Sequence, residues 1–463
     1  MCQISSKILN NSTFKLILIA IIVLGENKMK NKQTFLFVSI ILISCLITAL
    51  LLVKVIYYGD TTLPIIATKP DDTYIEPTDT YDTSFDFTFI REVNKHYETN
   101  YLVSPMSVAT AFSMLSDGTS GESKKQIDDT IGKYIVPKIN IPNRVGIANA
   151  LFINNSYKKS ILDSYIDTLK NKYDSEVLFD SFESPDVINN WVNEKTYKMI
   201  PKVLDEISPN FVFGLSNAIA IDVDWYSQFS CSDTEKGEFT TYDNKKIDAV
   251  MMHDDDSEVG YFENDEAYGI VKDYLSFDLN GNTSYEDSEG ALELEYIAIM
   301  PKGDIKEYIN NFGMDKLNKL YESKEYSTSK LKYYLSLPRY SYDFDLTNFS
   351  EIMKNLGIKD VFDPSVANFE NTTTDPNLDL YVGTAIHKTH IDLNEKGTKA
   401  AAVTFLGVFD NAVPLGYETK YINFDKPFIY LIKDKNSDNI WFFGTVYEPE
   451  LWTNETVTCS ENE

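Results

Sequence analysis

The stretch that most constrains the fold runs from Glu395 through Lys396, Gly397, Thr398, Lys399 and Ala400–Ala402 to Thr404, and continues without charge to Asp410. Gly397 permits a backbone pivot. Beyond it, small residues occupy alternate positions: Thr398, Ala400, Ala402 and Thr404. Lys399, Ala401, Val403 and Phe405 fall between them. Laid out as a strand, that alternation gives one small uncharged face and one varied face. Alanine is a poor filler for an ordinary strand, where β-branched and aromatic residues fit better. The pattern therefore suits a segment that is an exposed loop in one state and a buried strand in another. A helix N-terminus or a solvated loop is equally compatible with these residues alone.

A chain of 463 residues with 43% apolar content can bury a large core, and its length predicts two or three ordinary domains. Its formal charge of −28 argues against nucleic acid and anionic membrane surfaces as partners. Cys2 and Cys45 lie in the apolar N-terminal region. Cys231 and Cys459 remain, too few for a disulfide framework and wrongly spaced for zinc. A Cys231–Cys459 bridge is open but has no support in the sequence.

Phe35–Val53 is nineteen residues without a charge, and Lys28, Lys30 and Lys32 precede it. This is a membrane anchor with its N-terminus inside, or the apolar part of an export signal, and its uninterrupted length favours the anchor. Translation starts at Met1 or at Met29. Either way the body of the chain is exported, to stand secreted or tethered on the cell surface. Residues 57–83 are rich in Thr, Pro and Asp without helical period and read as a flexible tether. A folded body begins near Ser84, where Phe85, Phe89 and Val93 recur at helical spacing. Ser104 and Pro105 signal a helix start, with Gly118 at its end. Ala148–Ile153, Phe213–Ile221 and Leu294–Met300 read as buried strands, and Ile188 to about Ile200 as a helix.

Enzymatic motifs are missing from the sequence: there is no Gly-x-Ser-x-Gly elbow, phosphate-binding glycine loop or His-Glu-x-x-His helix. His253 stands before Asp254, Asp255 and Asp256, which reads as a solvated acidic loop rather than a cation site. His387 and His390 flank two residues and are the other metal candidates.

The ordered set of matches from about Ser84 to Pro449 resembles the serpins, the serine protease inhibitor family. The set comprises Asn100–Ser107 (Asn-Tyr-Leu-Val-Ser-Pro-Met-Ser), Ile188–Val192 (Ile-Asn-Asn-Trp-Val) and Asn217 followed by Trp225. It continues with Ile386-His387-Lys388, Glu395–Thr398, Phe424–Phe428 and Phe442-Phe443-Gly444. The resemblance implies one α+β domain over 84–449, with a large central mixed β-sheet, smaller sheets, surrounding helices and an exposed reactive-centre loop. Residues 1–56 are then the export signal or anchor and 450–463 a C-terminal tail.

It implies a bacterial-like, monomeric, cofactor-free protein that is no enzyme and traps serine proteases as covalent acyl complexes by inserting its cleaved loop into the sheet. Glu395, Gly397, Thr398, Ala400, Ala401 and Ala402 would form the loop hinge. The resemblance places Trp225 at the mouth of the sheet and Ser104, Ser107, Asn217 and His387 in a polar cluster that gates its opening. Counting from Glu395 puts the scissile bond at Asn411–Ala412, with Ala412–Val413 as the alternative. Two departures are visible: Asp222-Val223-Asp224 precedes Trp225, and the segment from Glu395 to Pro427 is long. The other function class is a serpin-fold carrier that inhibits nothing. Thr and Ala at the inward hinge positions favour inhibition.

Overall fold

In the computed structural model the described residues are 84–132, 140–254, 259–278, 280–284, 292–328, 330–398 and 418–453. All belong to the second of two units into which the chain divides, Tyr74–Glu463. The expected anchor and tether, hinge residues Ala400–Ala402 and the bond at Asn411, Ala412 or Val413 lie outside them. Among the described residues no helix is long and apolar enough to cross a membrane.

The chain opens with α1 (Ser84–Asn94), β1 (Tyr101–Val103), α2 (Pro105–Gly118) and α3 (Gly121–Ile131). Phe85, Phe89 and Val93 put one stripe of α1 into the core, as their spacing predicts. The Ser104 hydroxyl caps α2, accepting the Ser107 N–H at 3.2 Å, and Pro105 follows at its first position. Next come β2 (Asn140–Ile141), β3 (Val145–Asn154), α4 (Asp163–Tyr173), β4 (Glu176–Asp180), α5 (Asp186–Lys195), β5 (Phe213–Ile221) and β6 (Val223–Asp224). Helix α5 stops earlier than its pattern suggests. Tyr197 and Lys198, with φ of 49° and 66°, turn the chain out of the helix.

Strands β7 (Glu235–Thr240), β8 (Lys246–Asp254), β9 (Gly260–Glu263), β10 (Ala267–Asp273), β11 (Ser276–Phe277), β12 (Thr283–Ser284) and β13 (Leu294–Pro301) then lead to two short helices. These are α6 (Ile305–Asn310) and α7 (Met314–Glu322). The remainder is β14 (Leu331–Pro338), β15 (Tyr340–Asp345), α8 (Phe349–Asn355), β16 (Lys388–Leu393), β17 (Gly397–Thr398), β18 (Glu418–Asn423), β19 (Phe428–Asp434) and β20 (Ile440–Val446).

One sheet runs β1-β20-β19-β13-β10-β9, and another β18-β14-β8-β7. The central layer is built in two parts. β4 and β5 flank β3, β4 parallel and β5 antiparallel to it. β5 passes through Asp222 into β6, the end of the order β15-β16-β17-β6. Its mixed character is the α+β architecture that the sequence leads one to expect.

A set of buried tyrosines pins the central layer to the six-stranded sheet. The Tyr296 and Tyr340 hydroxyls lie 3.0 Å apart, and those of Tyr342 and Tyr430 2.7 Å apart. The Tyr342 hydroxyl also stands 3.1 Å from the Tyr101 carbonyl and 3.0 Å from that of Thr445. Buried phenols survive in a core only when their hydroxyls are matched in this way. The Tyr430 ring fits because position 444 lacks a side chain, for a Cβ on Gly444 would lie 2.3 Å from its Cζ. Gly444→Ala should therefore cost about 1–3 kcal/mol through overpacking, read as a lower urea midpoint with unchanged far-UV dichroism.

Candidate functional site

At the end of β16 the chain turns sharply and comes back. Leu393 pairs with Thr398, and Gly397 and Thr398 pair with Asp224 and Val223 of β6. β17 thus lies between β6 and β16. The Asn394 N–H closes the turn on the Gly397 carbonyl at 3.0 Å, and the Asn394 side chain accepts the Lys396 N–H. Gly397 is required by contact: a Cβ there would lie 2.2 Å from the Val223 carbonyl oxygen.

Every carbonyl of the turn is taken. The Trp225 indole N–H donates to Asn394 O at 3.0 Å, and its backbone N–H to Lys396 O at 2.7 Å. Phe229 N–H donates to Glu395 O at 2.9 Å. The Glu395 carboxylate is buried and accepts from the Thr234 hydroxyl at 2.7 Å and from the Arg339 guanidinium. Trp225 is itself fully buried and stacked on Tyr274 at 4.5 Å, with ring planes 6° apart. The Tyr274 hydroxyl meets that of Thr398 at 2.6 Å, so the threonine points into the core and is only 3% exposed. Burial pushes the Tyr274 phenol well up and keeps it a neutral partner. Lys272 lies over Phe229 and pairs with Asp254 at 2.9 Å.

The unusual Asp222-Val223-Asp224 run is accommodated here. Arg144 donates to the Asp224 carboxylate at 3.1 Å, although burial outweighs it and still raises that carboxyl. Sequence reasoning missed Arg144, Thr234, Lys272, Tyr274 and Arg339. One signal was available. The chain has three arginines, at 91, 144 and 339, and two of them hold buried carboxylates beside this turn. A permanently charged guanidinium suits that task better than lysine.

Below β17 the layer changes. β5 is bonded to β3 along its whole length, but among the described residues no strand pairs with its other edge. β16 is bonded to β15, and among the described residues only Leu393 has a partner on its other edge, Thr398. Between β5 and β16, below β17, lies a slot that no described strand bridges.

The polar cluster lies on this slot's flank. His387 is buried against Phe89 and Phe349, and its Nε2 accepts the Ser104 N–H at 3.1 Å. Ser107 joins through the Ser104 hydroxyl. Asn217 does not join. It sits on β5 and donates to Asn149 Oδ1 at 2.9 Å, and its own Oδ1 has no partner among the described residues. Among the described residues β5 and β16 are not paired, and Asn217 bonds across to β3 instead.

The acidic-loop reading fails at Asp254, which is buried with Lys272 rather than solvated. His387 and His390 do not converge, because His390 bonds Asp343 at 2.8 Å. No group of residues suited to hold a metal occurs among the described residues. Cys231 is disulfide-bonded, although no pattern in the sequence supports a pairing.

The model of the serpin family (serine protease inhibitor) matches residues 80–449, so the chain belongs to that family and has its fold. A serpin-like protein of Methanosarcina acetivorans is 27% identical over 389 residues, covering 79% of this chain and 85% of its own. Alpha-1-antiproteinase of Bos taurus is 26% identical, over 76% of this chain and 82% of its own. Among solved structures, the native state of the thermophilic serpin tengpin superposes with a TM-score of 0.66 at 25% identity, covering 84% of this chain and 98% of tengpin. Thyroxine-binding globulin with thyroxine gives 0.63 at 23% identity, over 79% and 97%, and shows the shared fold.

The histidine generates a pH prediction. Burial lowers the His387 imidazole to about 4, below its free value near 6.5, so the folded state holds it neutral and the unfolded state takes up its proton first. Its contribution is whole above about pH 6.5 and is lost as pH falls towards 4, roughly 3 kcal/mol in all. Urea midpoints should fall over that window, and the fall should be much smaller in His387→Gln.

Proposed function

We propose that this chain is an irreversible suicide-substrate inhibitor of serine proteases, working by loop insertion. The observation that carries this reading is the buried Thr398 at the head of a slot in the central sheet that no described strand bridges. A strand already two residues long, with edges below it that no described strand takes, needs only more chain to lengthen. The segment 399–417 leads on from Thr398 and supplies it.

In this reading the protease serine attacks the carbonyl carbon of Asn411, with Ala412 as the alternative. An acyl ester forms, and the new amine at the following residue leaves with a proton from the protease histidine. The cut loop then zips into the slot as Ala400 and Ala402 follow Thr398 inward. About fourteen residues at roughly 3.3 Å each carry the bound protease about 45 Å, and its distortion blocks deacylation. The inhibitor contributes no catalytic side chain and no cofactor. It acts as an exported monomer of bacterial type, held by Phe35–Val53 at the outer face of the cytoplasmic membrane.

Target class follows from the bait. No Lys or Arg lies between Ala400 and Thr419, so nothing fits the acidic pocket of a trypsin-like enzyme. Small uncharged Asn411 and Ala412 with apolar flanks suit elastase-like or subtilisin-like proteases, and shallow pockets discriminate by only about 1–3 kcal/mol.

Incubation with elastase, subtilisin, chymotrypsin and trypsin, followed by denaturing electrophoresis, should give an SDS-stable adduct with one of the first two. Mass spectrometry should place the new N-terminus within 410–417. Fast trapping of trypsin, or cleavage without any adduct, contradicts the reading, and the latter leaves the carrier role. Thr398→Arg would bury an unpaired charge at a cost of several kcal/mol. It should convert the inhibitor into a substrate, with adduct replaced by cleaved protein.

A further inference from the structure

A cleft of about 770 Å³ opens between the end of α1, the end of α8 and the turn that follows α8. Its walls are tied to one another. Asn355 at the end of α8 donates to the Glu92 carboxylate of α1 at 2.9 Å. The turn beyond is fastened to α3, where Gln126 Oε1 accepts the Lys359 N–H at 2.8 Å and the Asp360 N–H at 2.9 Å. The Val361 carbonyl accepts the Val382 N–H at 2.7 Å, and the Phe362 ring packs against Phe112 of α2. The cleft is thus part of the folded frame, as ligand sites usually are.

Its charges are unevenly matched. Glu92 is buried, and Lys95 and Asn355 satisfy its carboxylate. Burial acts to raise that carboxyl, but these bonds outweigh it and hold it below its usual range. Asp363 takes the Ser365 N–H at 2.9 Å and the Ser365 hydroxyl at 2.7 Å. Other charged groups lining the cleft have no such partner. The Lys354 and Lys359 ammonium groups form no ion pair among the described residues, and the Asp360 carboxylate accepts no hydrogen bond there. Lys354 and Lys359 stand on the two arms of a reversal at Gly357, which its φ of 118° permits.

Apolar surface lies beside these charges. Lys354 rides over the Phe362 ring at 5.4 Å, and Val366 lines the cleft although it is 53% exposed. A simple anion would suit the lysines and be repelled by Asp360. A simple cation would meet the reverse. A short peptide with free ends brings a carboxylate, an ammonium and an apolar side chain together, and each has a counterpart in this cleft. The volume falls within the range of about 300–1,000 Å³ typical of such sites.

We propose that this cleft binds di- and tripeptides with free termini and an apolar last residue. Lys354 and Lys359 hold the carboxylate, Asp360 holds the ammonium, and the side chain lies against Phe362 and Val366.

The test is titration calorimetry of the full chain with Ala-Phe and Ala-Ala-Phe, each also as its C-terminal amide and its N-acetyl form. One saturable site per chain is expected for the free peptides. Amidation should weaken binding at least about tenfold, as loss of a charge-assisted bond does. Acetylation should also weaken it. The double variant Lys354→Gln/Lys359→Gln should bind acid and amide alike, and Asp360→Asn should bind free and acetylated peptides alike. These are ratios within one variant, so a change in its stability does not mimic them. No saturable site for either peptide overturns the proposal, as does amidation without effect or discrimination that survives in the variants. No protease enters the test, so its failure is separate from failure of the inhibitory reading.

Discussion

A carboxylate buried at the mouth of the central sheet is the constraint on which the rest depends. A charge taken out of water survives only if it is matched. Glu395 is matched by Arg339 and Thr234, which come from segments far apart in the chain. Once that pair is made, the turn at 394–397 is placed, Gly397 is pressed against Val223, and Thr398 enters between β6 and β16. Trp225 reinforces the arrangement by taking two of the turn's carbonyls and stacking on the tyrosine that receives Thr398. The head of the sheet is thus closed by specific polar contacts, and below it no described strand joins β5 to β16.

The two halves of the layer are held differently. β15 and β16 are tied through the tyrosine hydroxyls of β15 to the six-stranded sheet, whereas β5 depends on β3 and its covering helices. Separating β5 from β16 therefore breaks no ladder bonds below β17 among the described residues. Asn217 on β5 bonds across to Asn149 on β3, and its buried Oδ1 has no partner among the described residues.

Much of this was legible from local signals. Ser104–Pro105 and Gly118 bounded α2, and β5 spans the residues its apolar run suggested. The small alternating residues after Gly397 left a strand, a helix start and a loop open, and Thr398, the one of them among the described residues, lies in a strand. What escaped notice was long-range. Nothing local to Arg339, Thr234 or Tyr274 says that they will meet residues 395–398, because tertiary pairing decides it. Asp254 next to His253 looked solvated because its partner, Lys272, is on another strand. Helix α5 ended early because two residues took left-handed backbone, which no propensity announces.

The central claim is that the slot between β5 and β16 receives the chain's own segment beyond Thr398. In β5 every second amide bonds to β3, and the alternate amides face the slot. Cutting the chain once within 399–417 with a protease that forms no adduct, and comparing hydrogen exchange of Phe213–Ile221 before and after, tests this directly. The account predicts that the slot-facing amides of β5 become strongly protected after the cut, with a large rise in thermal stability. Exchange and stability unchanged by the cut would contradict it.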